Sequence, residues 1–186
     1  MVADLPHTGG GEFGSTEVVI VSYNFTDGGA NAAQGADPAY YGVIRILAGS
    51  SCEQLETIHD PDNPIIAASP PAIAHPDNDG IPEIITHRRV SGVVAFKWDA
   101  DQSKYTTYWV AEDTGVSGQN RWDGPSVHDL DNDGFPEVLS GSAVFVGTTG
   151  QRLNVGQIIA GASPSISPGV IQVAGDIDND GKIELL

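Results

Sequence analysis

The chain has 186 residues, of which 25 are acidic and 8 basic, giving a formal net charge of −17. That balance excludes nucleic acid and anionic membrane surfaces as partners, because both require Lys and Arg to neutralise phosphates. A hydrophobic fraction of 40%, with 23 glycines and 12 prolines punctuating short apolar runs, argues against disorder and for an all-β fold.

The first segment, Met1 to Gly14, lacks the basic start and apolar stretch of a signal peptide. Nowhere does an apolar run approach the roughly 18–20 residues that span a bilayer. Strand-like runs follow at Glu17 to Val21 and Gly42 to Leu47, separated by an insertion, Asp27 to Tyr40, expected as a surface loop. Asn24-Phe25-Thr26 is a glycosylation triplet of the kind that also arises by chance. Further strands are expected at Gly92 to Trp98, Tyr105 to Ala111, Ala143 to Gly147 and Gln157 to Ala160. The lone Cys52 excludes an intrachain disulfide and a cysteine metal cluster.

Three nine-residue segments resemble one another: residues 75–83, 129–137 and 176–184. They read His-Pro-Asp-Asn-Asp-Gly-Ile-Pro-Glu, Asp-Leu-Asp-Asn-Asp-Gly-Phe-Pro-Glu and Asp-Ile-Asp-Asn-Asp-Gly-Lys-Ile-Glu. Their starts lie 54 and 47 residues apart, a repeat length of propellers and solenoids. Together they hold 11 of the 25 acids, although like charges repel, so something in the loops must gather them. A short apolar segment precedes each loop (Ala72-Ile73-Ala74, Ser126-Val127-His128, Val173-Ala174-Gly175) and a β-type run follows it, so each loop joins two strands. A degenerate fourth start spans residues 4–17, where Val2-Ala3-Asp4-Leu5 parallels Val127-His128-Asp129-Leu130 and Glu17 parallels Glu137.

Alternate Asp side chains on a tight loop converge on one point, and Gly at position six allows the turn; that is the chemistry of calcium, which takes 6–8 hard oxygen ligands. The predicted ligands are Asp129, Asp131, Asp133 and Glu137 with the Phe135 carbonyl, and Asp176, Asp178, Asp180 and Glu184 with the Lys182 carbonyl. A weaker third site would use Asp77, Asp79, Glu83 and the Ile81 carbonyl, because His75 replaces the first Asp and imidazole is a poor calcium ligand. The EF-hand is rejected: position twelve is Thr86 or Ser140 rather than Glu, and the flanks read as strands.

Asp-x-Asp-x-Asp-Gly-x-x-Glu between strands resembles the FG-GAP/VCBS repeat of integrin-α-like β-propellers. The resemblance implies a partial β-propeller over residues 1–186, with about three four-stranded blades and structural calcium on one rim. Natural propellers typically have 4–8 blades, so the remaining blades are expected in a parent chain or another copy. The implied function is an extracellular or cell-surface module that presents loops to a protein or glycan ligand. The alternative is the propeller scaffold of a polysaccharide-active enzyme such as a lyase, in which the basic run His87-Arg88-Arg89 would meet an acidic sugar. No nucleophile elbow, metalloprotease helix or phosphate loop is present, which favours a binding module over an enzyme. The crowded aromatics Phe96, Trp98, Tyr105, Tyr108, Trp109 and Trp122 are expected to pack between blades rather than stack on sugars.

Overall fold

A computed structural model describes residues 1–7, 15–22, 42–67, 69–89, 91–112, 123–141, 143–153, 174–176, 178–179 and 183–185. The insertion at 27–40, the triplet at Asn24, Trp122 and the strand expected at Gln157 to Ala160 lie outside these residues. The described residues are all β, without a helix.

Each acidic or degenerate loop sits between the first two strands of a sheet. The first sheet holds β1 (Val2–Ala3), β2 (Glu17–Ser22), β3 (Val43–Ala48) and β4 (Gln54–Ile58). The second holds β5 (Ala72–Ala74), β6 (Glu83–His87), β7 (Val93–Asp99) and β8 (Lys104–Ala111). The third holds β9 (Ser126–His128), β10 (Glu137–Ser140), β11 (Ala143–Val146) and β12 (Arg152–Leu153), and β13 (Ala174–Gly175) pairs β14 (Glu184–Leu185). Strand order follows chain order in every sheet and all pairs are antiparallel, so each four-stranded sheet is a meander.

Period-two alternation sends side chains to both faces of these sheets; the second and third sheets bury both, while the first leaves one face open, with Ile20 exposed on it. On β6 and β7, Ile84, Val94 and Phe96 join Val19, Ile44 and Ile46 of the first sheet in one core. Their neighbours Ile85, Val93 and Ala95 point the other way and meet Val138, Ala143 and Phe145 of the third sheet. Leu139 and Val144 then face Ala174 and Ile183. The sheets therefore stack face to face in chain order. They form an open stack, and the described residues do not close into a ring.

Segment 64–67 stitches the first two sheets: Gly42 N–H donates to Ile65 O at 3.1 Å, Ile66 N–H to His87 O at 3.0 Å and Arg89 N–H to Pro64 O at 2.7 Å. This docking corrects the reading of His87-Arg88-Arg89 as a surface cation patch. His87 is fully buried and Arg89 nearly so. The His87 ring lies 2.9 Å from Ser69 Oγ through Nδ1 and 3.0 Å from Ser140 Oγ through Nε2, joining the second and third sheets. Phe96, Tyr105 and Trp109 are buried, as expected for inter-sheet packing, while Tyr108 is exposed.

Candidate metal centres

The Glu that closes each loop opens the second strand of its sheet and is paired with the last residue of the first: Ala3 with Glu17, Ala74 with Glu83, His128 with Glu137 and Gly175 with Glu184. The same register sets what stands opposite on the third strand, namely Ala48 against Glu17 and Val146 against Glu137. One step beyond the Ile84–Phe96 pair, the residue opposite Glu83 is Lys97.

Loop 129–137 is organised by its first carboxylate. Asp129 accepts N–H bonds from Asp133 at 3.1 Å and Gly134 at 2.9 Å. Asn132 and Gly134 take left-handed conformations, φ 59° and 89°, and coil the chain around the cluster. Glu137 is buried and accepts the Leu130 N–H at 2.9 Å. Asp129, Asp131 and Glu137 each offer an oxygen within 4.8 Å of the others. Asp133 stands outside that set and accepts the Phe135 N–H at 2.7 Å. Burial, and then the charges of Asp131, Asp133 and Asp129, push the Glu137 carboxyl above its ordinary range against the opposing pull of the Leu130 N–H. Among the described residues no Lys, Arg or His nitrogen pairs with these carboxylates. A hard-oxygen set of like charges, half turned from water, fits a divalent cation such as calcium.

Loop 75–83 has the same trace and a different filling. Asn78 and Gly80 again have positive φ, 58° and 87°, and Asp77, Asp79 and Glu83 converge within 4.8 Å. Here, however, Lys97 Nζ pairs with Asp77, lies 2.7 Å from Asp79 Oδ2 and 3.7 Å from Glu83 Oε1. Burial opposes its charge, yet the two Asp partners outweigh that and hold the Lys97 ammonium well above its usual range. Burial likewise opposes the Asp79 charge, but Lys97 and the Ile81 N–H keep its carboxyl low. Glu83 is pushed up to about 7 by burial and then by Asp77 and Asp79, with Lys97 pulling the other way.

Of the third predicted set, Asp176 and Asp178 are exposed on the loop between β13 and β14. Asp180, Lys182 and the side chain of Glu184 lie outside the described residues. In the degenerate start, Glu17 is buried and accepts the Leu5 N–H at 2.7 Å and the Ser15 hydroxyl at 2.5 Å. Sequence reasoning missed Lys97, whose signal was a charge set between Phe96 and Trp98 in a mostly apolar third strand. It also missed the Asn at position four, left-handed at 78, 132 and 179 alike.

Loops 75–83 and 129–137 are neighbours: the Asn78 amide donates to Gly134 O at 2.6 Å. No protein-family model and no curated protein matches the sequence. The fold, however, is similar to that of rhamnogalacturonan lyases. The exotype rhamnogalacturonan lyase YesX aligns with all of this chain at TM-score 0.60 and 16% identity, and rhamnogalacturonan lyase YesW at 0.60 and 20%. The chain spans about a third of each, 33% and 34%. At such identities the likeness concerns the fold.

Proposed function

We propose that this chain is a calcium-pinned β-sheet scaffold of a polysaccharide-active protein of the lyase type, with acidic polysaccharides as its substrate class. The observation that carries the reading is the alignment of its full length on two rhamnogalacturonan lyases. Their likeness favours this over the adhesion module that the FG-GAP/VCBS resemblance suggests. In the proposed arrangement, successive meander sheets are blades of a propeller, and further blades complete the ring. The metal stiffens the strand connections so that other loops hold a substrate in fixed register, the usual division between rigid scaffold and functional loop. Buried His87, held by Ser69 and Ser140, is part of that scaffold and not of the chemistry. The setting is extracellular, where calcium is abundant enough for modules with dissociation constants of about 10⁻⁴–10⁻³ M.

The test is incubation of the protein with rhamnogalacturonan and with a neutral polysaccharide, in calcium and in chelator. The expected result is eliminative cleavage of the acidic polymer alone, read as ultraviolet absorbance of unsaturated ends and lost in chelator. Retention of the polymer without unsaturated ends would instead support adhesion. Neither retention nor cleavage would leave a structural spacer.

A further inference from the structure

We propose that Lys97 is a built-in cation that replaces the metal ion in loop 75–83, so that this loop is held without calcium while loop 129–137 needs it. The two loops share a trace, so the differences between them can be compared position by position. At position one, Asp129 has His75 as its counterpart, which removes a ligand. At position two, Leu130 donates its N–H to Glu137, whereas Pro76 has none to give. Glu83 is consequently left fully buried with neither carboxylate oxygen hydrogen-bonded. A buried carboxylate without hydrogen bonds is costly in its charged form, and a neighbouring cation offsets that cost. On the third strand, Val146 opposite Glu137 is replaced by Lys97 opposite Glu83.

The ammonium is enclosed on several sides. Its partners are Asp77, Asp79 at 2.7 Å and Glu83 at 3.7 Å. The Tyr108 ring covers it, with Nζ 5.0 Å from the ring centroid. Tyr108 is the extra residue of a β-bulge, since Ala95 pairs with Trp109 and Phe96 with Thr107. Bulges re-aim side chains, and this one turns the ring over the lysine. A calcium ion could enter only by expelling a paired ammonium and overcoming a missing ligand. The three loop-closing carboxylates thus have three solutions: a hydroxyl and an N–H for Glu17, a lysine for Glu83, and an N–H with two converging aspartates for Glu137.

This inference is independent of the lyase reading, and it is tested by calcium-binding stoichiometry and thermal unfolding of the intact chain. Asp131→Asn should remove one bound calcium, and Asp79→Asn should remove none. Lys97→Met in chelator should lower the unfolding midpoint by roughly 5–15 °C, and Lys97→Arg should recover part of that. Loss of one calcium in Asp79→Asn, or an unchanged midpoint in Lys97→Met, would overturn the proposal. Should the unmutated protein bind no calcium at all, the metal reading of loop 129–137 fails, while the Lys97→Met midpoint still decides the role of the lysine.

Discussion

A buried carboxylate has to be hydrogen-bonded, paired or neutralised. Glu83 shows the conflict most plainly, since its oxygens face a lysine at 3.7 Å and two aspartates beside it. Its carboxyl, ordinarily at 4.5, is pushed up to about 7, so the folded chain holds that proton more tightly than the unfolded chain does. The contribution to stability is therefore complete below 4.5 and is lost as pH rises through about 7. Glu83→Gln removes this dependence. Its midpoint relative to the unmutated protein, measured in chelator, should climb across that window and level off above it. A second residue-scale prediction concerns Gly134, whose φ of 89° suits glycine and whose Cβ position is open space. Gly134→Ala should cost about 1–2 kcal/mol through backbone strain alone, visible as a lowered midpoint without a change in burial.

At the scale of strands and sheets, stability comes from alternation: neighbouring residues of one strand enter different cores. Trp109 ties two sheets together, donating Nε1–H to Gly147 O at 2.8 Å while its ring lies where a Cβ on Gly150 would stand. Trp109→Ala should destabilise by about 3–5 kcal/mol, and Trp109→Phe, which keeps most of the ring, by about 1–2 kcal/mol from the lost hydrogen bond and volume. Urea unfolding of both variants checks the ranking. These elements were legible in the sequence where periodicity and turn chemistry agreed, as in the strands beginning at Glu17, Glu83 and Glu137 and the loops before them. Strand β4, with Gln54 and Glu56, was not anticipated, because its carboxylate serves a distant partner. Glu56 accepts the Tyr105 N–H at 2.8 Å, 49 residues away. For the same reason the lysine filling of loop 75–83 could not be read from the loop itself: Lys97 is brought there by strand register. The basic run at 86–89 was read as exposed because charge usually is, yet segment 64–67 covers it.

For the molecule as a whole, a charge of −17 on 186 residues disfavours compaction unless cations offset it. One of its three lysines is committed to a single acidic loop, and the carboxylates of loop 129–137 converge as a divalent cation would require. Added sodium chloride in chelator should raise the midpoint modestly by screening, since the Debye length is about 10 Å at 0.1 M; a specific ion at the loop should act far more strongly at millimolar concentration. The loops open strands whose side chains enter cores shared between neighbouring sheets, so a metal bound at a loop should register in the unfolding of the whole stack. The most direct measurement is thermal unfolding followed by circular dichroism while calcium is titrated against chelator at constant ionic strength. The account predicts a β-type spectrum and a midpoint that rises with calcium, by the equivalent of about 2.7 kcal/mol at a hundredfold excess over the dissociation constant. A midpoint indifferent to calcium would contradict it.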